Sequence, residues 1–187
     1  MNTATNIGDL PGFTLFDTAV GACALVWGAQ GLVGVLLPEP SAAATRTKAR
    51  RRYPGAREQP APAEVQRVVE RIQALLDGGH DDLEDIALDM RAIPEFNRRV
   101  YAIARAIHPG HTRTYGEVAT EIGELALARA VGQALGANPF PIIVPCHRVL
   151  AAGSRSGGFS APGGTRTKLR LLEIERAPLG GTPGLFD

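Results

Sequence analysis

The apolar positions of the chain change period three times, and each change predicts a different element. From Phe13 to Leu37 they are nearly continuous, small or β-branched, and punctuated by glycine, which predicts two or three strands. Thr18 to Pro38 carries no charge over 21 residues and has the length of a membrane span, but four glycines and Gln30 interrupt it. Ala29-Gln30-Gly31 reads as a turn, so a buried hairpin is expected instead. Ser41, after Pro40, can cap a helix through the basic cluster Arg46 to Arg52, a kind of cluster that more often forms a solvated face than a binding patch. Arg57 to Pro62 reads as a proline-rich linker. Val65, Val68, Val69, Ile72, Leu75 and Leu76 then recur at helical spacing until Asp77-Gly78-Gly79 stops them. A short strand around Ile86 to Leu88 would complete the first sheet, and Phe96, Val100, Ile103 and Ile107 mark another helix, closed by His108-Pro109-Gly110.

Beyond that point the pattern is compact and helical. Thr114 followed by Glu117 is a capping-box pair, predicting a helix from Tyr115 to near Gly123. A second helix is expected from near Leu125 to Gly136, with Leu127, Val131 and Leu135 on one face. Two such helices joined by a glycine-containing turn make a helix-turn-helix, although plain helical cores show the same pairing. The expected architecture is α/β followed by α, with a boundary near Ala92: residues 1–91 in the first domain and 92–187 in the second.

Composition changes this picture little. A chain of 187 residues can bury one large core or two small ones, and 44% hydrophobic with 21% charged residues is ordinary for a globular protein. The net charge of +1 does not announce a nucleic-acid binder, but its distribution is uneven. Ile107 to Leu172 holds seven Lys or Arg against three Glu and no Asp, so this half either faces a polyanion or carries scattered solvated charge. Two cysteines are too few for a disulfide scaffold, which favours reduced thiols and a cytoplasmic location. No positive charge precedes the apolar run, while Asp9 and Asp17 do, so no signal peptide is expected. His80, His108, His111 and His147 make no Cys/His zinc spacing; neither a metal nor another cofactor is implied.

The candidate chemistry lies in Asn138-Pro139-Phe140-Pro141-Ile142-Ile143-Val144-Pro145-Cys146-His147-Arg148-Val149. Asn138-Pro139 starts a turn, and Ile142 to Val144 is short enough for a buried strand or extended segment. Pro145 suits the first position of a helical turn. Cys146 would then sit at a helix N-terminus beside an imidazolium, and both lower a thiol pKa. The alternative is a small buried hydrophobe next to a surface histidine, a reading that Cys23, within Ala22-Cys23-Ala24-Leu25, fits well.

Pro145-Cys146-His147-Arg148-Val149, with Asn138-Pro139, Tyr115-Gly116 and Arg129-Ala130-Val131-Gly132 before it, resembles the O6-alkylguanine-DNA alkyltransferases, also called methylated-DNA-protein-cysteine methyltransferases. The likeness is continuous from about Phe96 to Glu175, with a weaker similarity of layout before it. It implies a ribonuclease H-like α/β domain followed by a winged-helix-like domain carrying the helix-turn-helix and the cysteine. It also implies a monomer without metal or cofactor that binds double-stranded DNA through the minor groove and rotates O6-alkylguanine out of the stack, with no membrane partner. A thiolate cannot reach the alkylated oxygen inside a duplex, which is why the base must leave it.

By the same resemblance Cys146 is the nucleophile, His147 its base through a water, and Glu175 the residue that orients the imidazole, in preference to Glu173. Arg129 corresponds to an arginine finger that fills the vacated stack. Tyr115 would crowd the 3′ phosphate and donate toward guanine N3. Asn138 would brace the turn under the cysteine, Ser160 would contact the alkylated oxygen, and the Val149 carbonyl would face the guanine amino group. Arg148 would be structural or phosphate-facing. The sequence departs from the commonest pattern after the site, where Gly158-Phe159-Ser160-Ala161-Pro162-Gly163-Gly164 has phenylalanine for tyrosine and two extra residues, and it lacks the zinc ligands that some members carry. The implied reaction is a single irreversible transfer, possible also on O4-alkylthymine. A lesion-binding module without transfer and a Cys-His acyl hydrolase are the competing readings; the related binding modules have lost the cysteine that this chain keeps at Cys146.

Overall fold

The computed structural model describes residues 11–153 and 157–178. Strands β1 (Gly12–Thr18), β2 (Gly21–Gly28) and β3 (Gly31–Leu36) form an antiparallel meander. The uncharged run is therefore a hairpin: Ala29 and Gln30 connect its strands, and Gly31, at φ 129°, takes a conformation that a side chain would strain. The run lacks charge because both faces of β2 are covered. Cys23, Leu25 and Trp27 enter a core with Val69, Ile72 and Leu75, while Ala24 and Val26 pack with Phe13 and Ala49 on the other side. Among the described residues no helix is long and apolar enough to cross a membrane.

Helix α1 (Ala42–Arg52) covers the second face and starts at Ser41, whose hydroxyl accepts from Ala44 N at 3.2 Å. Helix α2 (Ala63–Leu76) covers the first, burying Val65, Val69, Ile72, Leu75 and Leu76. Two expectations need correction. The start of the proline-rich segment is strand β4 (Arg57–Glu58), parallel to β1, giving the order β3-β2-β1-β4. Its prolines begin only at Pro60, after Gln59 N has donated to Phe13 O at 3.0 Å, so they do not prevent the pairing. The strand expected around Ile86 to Leu88 is a single parallel bridge, Leu32 with Leu88.

The remainder contains α3 (Glu95–Arg105), β5 (Arg113–Thr114), α4 (Tyr115–Ile122), α5 (Ala128–Gly136), β6 (Val149–Leu150) and α6 (Thr165–Ile174). The Thr114–Glu117 capping box is present at the start of α4. Gly123, at φ 134°, turns the chain, and a 3-10 turn over Leu125–Leu127 precedes α5, so the second helix starts three residues later than its apolar pattern suggests. α3, α4 and α5 enclose a core of Val100, Tyr101, Ala104, Val118, Val131 and Leu135, in which Tyr101 Oη donates to Ala134 O at 2.9 Å. Strands β5 and β6 pair in parallel.

Ile142 and Ile143 lie in a turn that ends in a bend at Val144, and not in the strand or extended segment expected there. Its apolarity has another cause: Ile142 and Ile143 belong to the sheet core and Val144 to the helical core, so the segment divides its side chains between the two. Ile142 sits at φ 77°, a costly conformation for a β-branched residue. Backbone bonds at both ends hold it there. Val144 N donates to Phe140 O at 2.8 Å, and Val35 N of β3 donates to Pro139 O at 2.8 Å, tying the sheet to the cysteine loop.

Candidate active site

Asn138 shapes the loop from inside. Its Nδ2 donates to Val144 O at 2.8 Å and its Oδ1 accepts from Phe140 N at 2.9 Å, satisfying backbone groups that would otherwise need a ladder. After Pro145 the chain makes a 3-10 turn over Cys146–Arg148 and then pairs as β6. Cys146 is 9% exposed and lies in the wall of a cavity of about 660 Å³. Tyr115, Arg129, Asn138, Phe159 and Ser160 line it too. Four residues named from sequence as site residues, Tyr115, Arg129, Asn138 and Ser160, thus share one cavity with the thiol, and Phe159, the residue that departs from the family pattern, lines it as well.

Behind the thiol is a buried ionic group. His147 and Glu175 meet at 2.9 Å between Nε2 and Oε1, both side chains 1% exposed. His147 Nδ1 is buried and has no hydrogen-bond partner among the described residues, which leaves one ring nitrogen for proton transfer. Glu173, two residues earlier, is on the surface with Arg170 at 2.8 Å.

Of the two roles expected of Arg148, structural or phosphate-facing, the geometry fits the first and corrects the second. The side chain does not face phosphate: it is 0% exposed, with Nε donating to Glu175 Oε2 at 2.9 Å and Nη2 to Oε1 at 2.8 Å, and a third bond from Nη1 to Ile107 O. Its role is to neutralise the carboxylate that holds His147. Burial by itself would raise the Glu175 carboxyl, but His147 and then Arg148 hold it down at about 2. For His147 the balance goes the other way, since burial lowers its pKa against the opposing pull of Glu175. The imidazole is neutral near pH 7.

The thiol also differs from its expected state. Burial pushes the Cys146 pKa up, and the Asn138 side chain, the Lys168 charge and nearby backbone N–H groups only partly offset this. The resting group is a thiol beside a neutral imidazole, not a free thiolate beside an imidazolium. Burial is the first cause, and the short 3-10 turn offers fewer aligned dipoles to oppose it than the helix N-terminus read from Pro145.

Lys168 was not singled out as a site residue by the sequence, although its place with Leu171, Leu172 and Glu175 on one helical face marks it as a charge on a buried stripe. It is 0% exposed; Nζ donates to Val149 O at 2.7 Å and lies 5.7 Å from the Tyr115 ring centroid. One lone pair of the Val149 carbonyl is therefore already engaged. Burial lowers the ammonium to about 8, with Cys146 opposing the shift. Tyr115, raised by burial and then by Cys146, stays protonated and remains a donor. Lys168→Met, which keeps the stem but removes the charge, is expected to slow Cys146 alkylation by iodoacetamide roughly 3- to 10-fold near pH 7 and move its pH midpoint upward. An unmoved midpoint would mean that the ammonium does not act on the sulfur.

The opposite wall of the cavity was also not read from sequence. Val35 and Leu36 of β3 and Leu37 just after it, with Lys48 and Arg52 of α1, line it. No sequence signal placed these residues near Cys146, because their approach depends on how the sheet meets the loop from Pro139 to Ile143.

Residues 95–177 match the family model described as 6-O-methylguanine DNA methyltransferase, DNA binding domain. A methylated-DNA–protein-cysteine methyltransferase of Methanothermobacter thermautotrophicus is 33% identical over 157 residues, 84% of this chain and 81% of the relative. A protein of the same name from Mycobacterium bovis is 40% identical over 128 residues, 68% of this chain and 75% of the relative. The crystal structure of Mycobacterium tuberculosis OGT in complex with DNA superimposes with a TM-score of 0.71 at 32% identity, covering 89% of this chain and 95% of that one.

Proposed function

Because the chain belongs to the methylated-DNA–protein-cysteine methyltransferase family, we propose that it repairs O6-alkylguanine in DNA by transferring the alkyl group to Cys146, once per molecule. The observation that carries this assignment to particular residues is a thiol at a cavity of about 660 Å³ with a neutral, oriented imidazole behind it. His147 Nδ1 takes the thiol proton through a water. The sulfur lone pair forms the S–C bond as the C–O6 bond breaks, and the electron pair leaves with guanine. Tyr115 donates a proton to N3 of the departing base, and the proton held by His147 restores Tyr115 through solvent. The product is a thioether, which has no carbonyl for water to attack, so the protein is not regenerated.

The substrate is duplex DNA, entered from the minor groove with the guanine turned out of the stack. α4 and α5 form the helix-turn-helix, Arg129 takes the place of the lost base, Ser160 contacts the alkylated oxygen, and the free lone pair of the Val149 carbonyl accepts from the guanine amino group. The chain acts as a monomer of two domains, ribonuclease H-like over 1–91 and winged-helix-like over 92–187. The β1–β3 meander flanked by α1 and α2 supports the first assignment, and the family match beginning at residue 95 is consistent with the boundary.

Incubation with a duplex carrying O6-methylguanine, followed by peptide mass spectrometry, is expected to show one added methyl group on the Cys146 peptide and stoichiometric, non-catalytic consumption of lesion. Cys146→Ala removes the adduct. Methylation at another residue would overturn the site, and catalytic turnover of a thioester or peptide would favour a Cys-His hydrolase.

A further inference from the structure

The basic cluster Arg46 to Arg52 has no part in the chemistry above, and its charges are not equivalent. Arg46 and Arg50 both pair with Glu58, at 2.8 and 2.9 Å, and Lys48 pairs with Glu39 at 2.5 Å. Arg51 and Arg52 have no carboxylate partner among the described residues and are exposed. Only one of these two lines the cavity that holds Cys146 and Arg129, and it is Arg52. It ends α1, where the unpaired carbonyls of the last turn favour a cation. Its guanidinium lies 5.8 Å from the Tyr53 ring centroid, a contact that positions the group without neutralising it.

We propose that Arg52 is a DNA phosphate contact, so that the first half of the chain supplies one jaw of the lesion site. The inference rests on the alkyltransferase reading above. A nucleotide whose base reaches Cys146 at the depth of the cavity brings its own backbone to the cavity mouth. One wall there is α5 with Arg129; the other is the end of α1 with Arg52. A cation on a single wall would leave the backbone free to swing away from it. An unpaired guanidinium on the second wall holds the backbone in a fixed fork geometry suited to phosphate oxygens. Lys48, on the same wall, is already committed to Glu39 and contributes less.

The test measures binding of the full chain to an unmodified duplex by fluorescence anisotropy over a salt series, and methyl transfer from an O6-methylguanine duplex and from free O6-benzylguanine. Arg52→Ala is expected to flatten the dependence of log affinity on log salt by about one and to weaken binding roughly 3- to 10-fold at low salt. The ratio of its duplex rate to its free-base rate should fall by a similar factor. Arg51→Ala, which removes the same charge from the neighbouring position outside the cavity, should overlay the unaltered chain, and Arg52→Lys should keep the salt slope. An Arg52→Ala slope equal to that of the unaltered chain, or an equal loss in Arg51→Ala, would overturn the contact while leaving the repair reading intact. Failure of the unaltered chain to demethylate the duplex would overturn the repair reading itself, and the contact with it.

Discussion

Glu175→Ala costs the fold about 3–5 kcal/mol and abolishes methyl transfer, because it leaves Arg148 as a buried charge without its counter-ion. The carboxylate is at the C-terminal cap of α6, where the helix dipole disfavours a negative charge. It is tolerated there because three bonds from His147 and Arg148 converge on it. Removing it frees the imidazole to turn and strands a guanidinium that retains only Ile107 O. Urea unfolding reads the first effect, and mass spectrometry of Cys146 the second. A loss below about 1 kcal/mol would show that the pair is solvated and the site more open than described.

The same carboxylate gives the site a pH signature. Its pKa falls from the ordinary carboxylate value of 4.5 to about 2 on folding, so its contribution to stability is complete above about pH 4.5 and is lost as pH falls toward 2. Glu175→Gln has no such titration. The stability difference between it and the unaltered chain should narrow on acidification through that window, and a constant difference would contradict the assignment.

Arg129→Ala is expected to reduce repair of an O6-methylguanine duplex by about 10- to 100-fold, the scale of an unstacking cost of a few kcal/mol left uncompensated. Reaction with free O6-benzylguanine, which has no stack to leave, should fall far less. The position itself points to a use outside folding. Arg129 is exposed in the first turn of α5, where the helix dipole disfavours a cation, and it has no salt-bridge partner among the described residues. A residue placed against local electrostatics without compensation is better explained by what it meets when DNA binds. Equal losses on both substrates would remove the finger role.

What could be read in the sequence was what local rules control. The Ala29-Gln30-Gly31 turn between strands, the Ser41 cap, the Thr114–Glu117 box and the Asn138 turn depend on neighbours a few residues away, and each is present. Features set by distant packing were not legible. Ile142 to Val144 read as a buried strand or extended segment because short apolar runs usually take those forms, whereas here the run is shared between two cores. Arg148 could be read as structural or as phosphate-facing, and nothing local decided between them, because the partner that encloses it, Glu175, lies 27 residues on. The thiol looked ionised because proximity to a histidine was visible and the depth of burial was not. Glu175 itself came from family resemblance; helical spacing alone placed it on the same stripe as Lys168 without saying that both would be buried.

The divided loop has a bearing on how such proteins can be recombined. Ile142, Ile143 and Leu171 spend their surface inside the sheet core, and Val35 is bonded to Pro139. A chimera joined near Ala92 would therefore graft a catalytic half whose reactive loop is keyed to a particular sheet. Unless the donor sheet brings a matching socket, the mismatch will surface at the sulfur rather than at the seam.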